Sequence, residues 1–225
     1  MIEYLATSYF TTLLNVFSAI AFLLLLIRTK ANIPLRPLFL IYAIISITQS
    51  IYTIITESYN PLNLRSTQIY ENLVNIFSIV EIILFTIFYY STLTKTYFKV
   101  SVIVLSFGLT LWISYIWIVL KGFNCVVREI TVIQSLIIII YSLLYFYEIL
   151  RSQEVLKLKY NSTFWMATGF FLLSSFLFPL FLFLDQILKI LPNVFYGIYS
   201  VNNIAYSILF ICLIKATLCQ PKLAN

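Results

Sequence analysis

The sequence predicts an all-α fold, an integral membrane bundle of seven transmembrane helices with the N-terminus outside and the C-terminus cytoplasmic. Three observations predict it. Of the 225 residues 62% are hydrophobic and only 10% charged, and the mean hydropathy of +1.00 lies outside the range of soluble domains. Apolar runs long enough to cross a bilayer, at least about 18 residues each, recur along the chain between charges and prolines. The basic residues are divided unequally between the two sets of connecting loops. Seven spans of about 20 residues use roughly 140 positions, so residues 1–225 read as a single polytopic domain with no room for a soluble one.

The spans are expected near 9–27, 37–56, 70–93, 98–120, 127–150, 164–184 and 196–214. The first ends its Leu23 to Leu26 run in Arg28 and Lys30 without a small-residue cleavage site and has an acidic flank, so it reads as a retained helix rather than a signal peptide. The second carries Ser46, Gln49, Ser50 and Thr53 along one face at helical spacing. The third holds Glu81 near its midpoint, preceded by Asn72, Asn75 and Ser78. The fourth is apolar, with Trp112 and Trp117 toward its outer end. The fifth includes Gln134 and has Glu129 and Glu148 at its two ends. In the sixth, Pro179 predicts a kink or hinge that frees backbone carbonyls near Ser174 and Ser175. The seventh carries Asn202 and Asn203 and ends at Lys215; with Asp185 to Pro192 as a partly buried outer loop, a six-span count is the alternative.

Orientation follows from the 14 Lys and Arg residues. Arg28, Lys30, Arg36, Lys95, Lys99, Arg151, Lys157, Lys159, Lys215 and Lys222 flank one side, and Arg65, Lys121, Arg128 and Lys189 the other. The richer side is cytoplasmic by the positive-inside rule, which predicts a multi-pass protein of the cell (inner) membrane. The net charge of +6 follows from this bias and from attraction to anionic headgroups. Because the basic residues are scattered over several loops, nucleic acid is not an expected partner. Tyr9, Tyr59, Tyr97, Trp112, Trp117, Tyr160, Trp165 and Tyr196 fall near span ends, as interfacial anchors do.

Much chemistry is excluded. The chain has no His, which removes His general bases, His-dependent triads and the commonest metal ligand. Cys125, Cys212 and Cys219 form no CxxC pair, and no glycine-rich phosphate loop or nucleophile elbow occurs. No enzymatic activity, cofactor or metal is therefore expected. Cys219, beside the cytoplasmic face, is a possible acylation position, and Asn161-Ser162-Thr163 matches a glycosylation sequon on the wrong side of the membrane. Glu148 with Arg151, and Asp185 with Lys189, read as ion pairs at span ends.

Glu81 is the candidate functional carboxyl, since an ionisable group at this depth is costly unless paired or hydrated. No Lys or Arg shares its depth, so it must be held neutral or bonded by hydroxyls and amides of other helices. Asn75, Ser78, Gln49, Gln134, Asn202 and Asn203 are the expected companions, as interhelical glue or as the lining of a polar cavity. Lys215 invites comparison with a retinal-binding lysine, but it lies at the cytoplasmic helix end, out of register with Glu81, and reads as an anchor.

Glu81 followed by Phe88-Tyr89-Tyr90, the run Tyr145-Phe146-Tyr147-Glu148, and Phe164-Trp165 with Gly169 opening the sixth span together carry a resemblance. On these motifs the chain resembles uncharacterised seven-span membrane proteins of Bacteroidota. The resemblance implies a sensory or accessory module for separately encoded signalling proteins and implies no activity. Loops this short point the same way, to a sensory or signalling role through a membrane or cytoplasmic partner. The alternatives are a small-solute or proton-linked transporter or channel with a polar path near Glu81, and an oligomeric membrane-disrupting pore built from copies of this chain.

Overall fold

The computed structural model describes residues 13, 16–27, 39–41, 43, 44, 47, 48, 64–120, 128–151, 158–190 and 195–219, and the secondary structure among them is helical throughout. We label the helices α1 (Val16–Ile27), α2 (the helical residues between 39 and 48), α3 (Leu64–Thr92), α4 (Thr96–Tyr115), α5 (Arg128–Arg151), α6 (Ser162–Leu182), α7 (Leu184–Ile190) and α8 (Phe195–Leu218). The all-helical class is as expected.

Among the described residues, three segments are long and apolar enough to cross a membrane, namely Thr96–Val119, Glu129–Arg151 and Ser162–Leu182. At 1.5 Å per residue they rise about 32–36 Å, against a hydrocarbon core of about 30 Å. Helices α4, α5, α6 and α8 have bounds within a few residues of the hydropathy reading, and α3 begins earlier, at Leu64; the start of the first expected span and most of the second lie outside the described residues. Ile116–Leu120 continues α4 as a π-helical turn, an irregularity that the apolar run gave no sign of.

Leu93, Thr94 and Lys95 alone connect α3 to α4, and so short a link makes the two helices antiparallel neighbours. Around α3 stand α4 and α5; α5 also contacts α4 and α6, and α6 lies along α8. The main core joins Leu84 and Phe88 of α3, Val102 of α4, Tyr141 of α5, Phe170 of α6 and Leu213 of α8. Phe170 meets Phe85 and Phe88 edge-on, with ring centroids 4.9 and 5.5 Å apart, an arrangement that adds about 0.5–1.5 kcal/mol per pair beyond burial. Phe17 of α1 packs on Phe210 of α8 at 5.4 Å, and Phe22 stacks on Phe39 of α2 at 6.5 Å. A smaller cluster of Ile82, Leu109, Ile113, Ile116 and Ile130 closes the α3, α4 and α5 contact at the other end.

Lipid tails are as apolar as leucine, so helices in a bilayer associate through close packing and internal hydrogen bonds. The α6 and α8 pair shows the packing component. A Cβ on Gly169 would lie 2.9 Å from both Cys212 Cβ and Leu209 Cδ1, so glycine is what lets these helices approach. Ala205, Cys212 and Ala216 keep the facing side of α8 small and buried.

The structure adds local detail around α6. Asn161 is the N-cap of α6, its Oδ1 accepting from the backbone N–H groups of Thr163 at 3.0 Å and Phe164 at 3.3 Å. Such a cap contributes about 1 kcal/mol, which accounts for the Asn-Ser-Thr triplet without glycosylation. Pro179 lies inside α6 without ending it; the helix stops at Phe183, whose N–H donates to the Pro179 carbonyl at 3.1 Å. The segment expected as an outer loop starts instead with α7, Leu184–Ile190. Asp185 is helical, but its side chain lies outside the described ones, as does its expected pairing with Lys189.

Candidate intramembrane polar site

Along α5, Gln134, Tyr141 and Glu148 recur every seventh residue, which is two helical turns, so the three share one face about 10 Å apart. Each reaches across to α3, α4 or their connecting turn. The result is a three-tier polar seam through the helix trio.

The first tier is the Glu81 and Gln134 pair. Gln134 is buried on α5 and its Nε2 donates to Glu81 Oε2 of α3 at 2.8 Å, the carboxyl being half-buried. Two of the expected site residues therefore meet. Asn75 and Ser78 are buried on the same helix as Glu81. Asn203 is buried on α8, its carbonyl accepting from Ser207 Oγ at 2.8 Å. Asn202 is helical but its side chain is not among those described, and Gln49 lies outside the described residues.

Hydroxyls make the second tier. Tyr141 Oη donates to the Val102 carbonyl at 2.8 Å, so its contact with Ser106 Oγ at 2.6 Å must be one that Ser106 donates. Thr86 Oγ1 joins the chain 2.5 Å from Ser106 Oγ, its one proton shared between that oxygen and the Ile82 carbonyl at 2.7 Å. By the same proton count Ser142 Oγ donates to the Ile138 carbonyl at 2.8 Å and accepts from Tyr89 Oη at 2.6 Å. Tyr89 and Tyr141 rings lie side by side at 5.6 Å. Thr86, Tyr89, Ser106, Tyr141 and Ser142 thus knit α3, α4 and α5, and none belonged to the site expected from sequence.

The third tier departs from expectation. Glu148 does not pair with Arg151. Its Oε2 accepts from the Thr94 N–H at 2.7 Å and from Thr94 Oγ1 at 3.2 Å, and Oε1 accepts from the Lys95 N–H at 2.7 Å. The carboxylate clamps the α3 to α4 turn, where charge-assisted bonds to free backbone donors are worth more than an exposed ion pair. Arg151 instead lies over the Tyr147 ring, 4.6 Å from its centroid.

Further rings and cations gather at that same end. Lys99 is 5.2 Å from the Tyr90 ring centre, Lys159 is 4.9 Å from Tyr160 and Lys215 is 5.9 Å from Trp165. Lys215 thus has the position expected of an anchor. The acylation reading of Cys219 does not fit, since this residue is buried and its thiol donates to the Lys159 carbonyl at 3.5 Å. Burial pushes the thiol above its ordinary range, an effect the Lys215 charge opposes.

Among the described residues no group of Cys, Asp and Glu could hold a metal ion. Comparison with known proteins finds no matching family model, curated protein or solved structure.

Proposed function

We propose that this chain is a multi-pass inner-membrane protein, N-terminus outside and C-terminus cytoplasmic, that acts as a sensory or signalling module through separately encoded partners. One observation carries the reading: the carboxyl near the middle of α3 is bonded to a neutral amide of the neighbouring helix, Glu81 to Gln134 at 2.8 Å. A carboxyl and an amide can exchange donor and acceptor roles as the proton comes and goes. The pair is thereby a bistable link between α3 and α5, which a bound ligand or partner could bias. The hydroxyls of the second tier bond to one another and to helix carbonyls, an arrangement of helix adhesion rather than of a hydrated path. The resemblance to seven-span proteins of Bacteroidota points to the same role, and the short α3 to α4 connection offers no surface for a soluble output of its own.

Purified protein in proteoliposomes tests this against transport. With an imposed proton gradient and an entrapped pH dye, the expected flux equals that of empty liposomes, and Glu81→Gln leaves it unchanged. In-cell photocrosslinking from Phe107 and Leu111, exposed on α4, is expected to capture a distinct membrane protein. Proton flux that Glu81→Gln abolishes would establish the transporter instead.

A further inference from the structure

The end of the bundle where α4 and α6 begin and α5 and α8 end holds a second polar assembly, independent of the Glu81 reading. Trp165 is half-buried one turn into α6, and its indole Nε1 donates to the Lys159 carbonyl at 3.1 Å. The same carbonyl takes the Cys219 thiol from the end of α8 at 3.5 Å. One backbone oxygen therefore ties the turn before α6 to the indole and to α8. The turn is fixed further by the Asn161 N–H donating to the Leu158 carbonyl at 3.0 Å.

This fastening brings two exposed lysines to the same corner of the bundle. Lys215 extends from α8 to 5.9 Å from the Trp165 ring centre, and Lys159, whose own carbonyl holds the indole, stands 4.9 Å from the centre of the exposed Tyr160 ring. Among the described residues neither ammonium has a carboxylate within ion-pair distance, and Glu148, the acid at this end of α5, is committed to the Thr94 and Lys95 N–H groups. A ring face offers a cation only a weak partner and leaves ammonium protons unused. An indole at this position marks the depth of the headgroups, where the anions within reach are lipid phosphates.

We infer that Lys215, over the Trp165 ring, and Lys159, whose carbonyl holds that indole, form a binding site for the phosphate of an anionic phospholipid headgroup. The two ammonium groups hold the phosphate oxygens, and Trp165 and Tyr160 line the glycerol and upper acyl region. The site fastens α6 to α8 from the lipid side, as Gly169 does from within.

Native mass spectrometry of the full chain in mild detergent, titrated with phosphatidylglycerol or phosphatidylcholine, tests this. Phosphatidylglycerol is expected to be retained preferentially. K159Q/K215Q should weaken it roughly 25-fold, at about fivefold per lysine, and K159R/K215R should retain it, which separates charge from misfolding. K99Q/R151Q removes the same charge from the same end and should change retention less than twofold. An equal loss in K99Q/R151Q would replace the site by diffuse attraction and overturn the inference. So would equal retention of phosphatidylcholine, or displacement of the lipid by millimolar glycerol phosphate, which would identify a free phosphate as the ligand.

Discussion

Gly169→Ala is expected to destabilise the protein by about 1–2 kcal/mol, because overpacking of a close contact outweighs the gain in helix propensity. The added carbon would lie 2.9 Å from Cys212 Cβ, and that atom cannot move without the α8 backbone. Gly169→Val should separate α6 from α8 further and expose the buried Cys212 to alkylation. Gly108 supplies the control. A Cβ there meets nothing within 4 Å, so Gly108→Ala should be neutral or stabilising by up to about 1 kcal/mol. Thermal unfolding in detergent, with thiol alkylation as the second readout, distinguishes the two positions. Equal effects at both would contradict the assigned α6 and α8 interface.

Removing the Glu81 carboxyl should have the other large effect. Glu81→Leu leaves the buried Gln134 amide without its acceptor, at a cost of about 1–2 kcal/mol, the lower part of the range for an unsatisfied buried group because a bilayer-unfolded state also finds partners. Glu81→Gln retains an acceptor oxygen and should unfold close to the parent temperature. In E81L/Q134L both polar ends are gone, so the double variant should be less destabilised than the sum of its singles by about 1 kcal/mol. Strict additivity would mean that the two side chains do not sense each other. A signalling defect in Glu81→Gln, with unfolding unchanged, would separate the proton-dependent role from adhesion.

Hydropathy alone located the long helices, since a 20-residue apolar run bounded by charge has few other fates. Glu81 was legible because it is the only acid far from a span end, and Gln134 because amides are scarce in the fifth span. The second tier was not legible. Tyrosine and serine are frequent throughout this chain, and which of them meet depends on the rotation of three helices about their axes, which no single-helix pattern fixes. Glu148 was misassigned for a related reason: spacing along one helix offers Arg151, whereas the free N–H groups of the α3 to α4 turn come into view only once the helices are paired. Asn161 was read through a sequence triplet when its position before an apolar helix also carried the signal of a cap.

The central claim is that Glu81 with Gln134, and the hydroxyls of Thr86, Tyr89, Ser106, Tyr141 and Ser142, bond within the α3, α4 and α5 trio and line no water path. Ser78, Ser135 and Ser142 are buried at successive depths of that trio, and each tolerates replacement by cysteine in a background lacking Cys125, Cys212 and Cys219. Membranes carrying Ser78→Cys, Ser135→Cys or Ser142→Cys should be treated from either side with a small charged methanethiosulfonate. The account predicts no modification at any of the three positions from either face, while a cysteine at exposed Tyr160 reacts readily. Rapid modification of two or more of them from one face would reveal a continuous aqueous path past Glu81 and contradict the account.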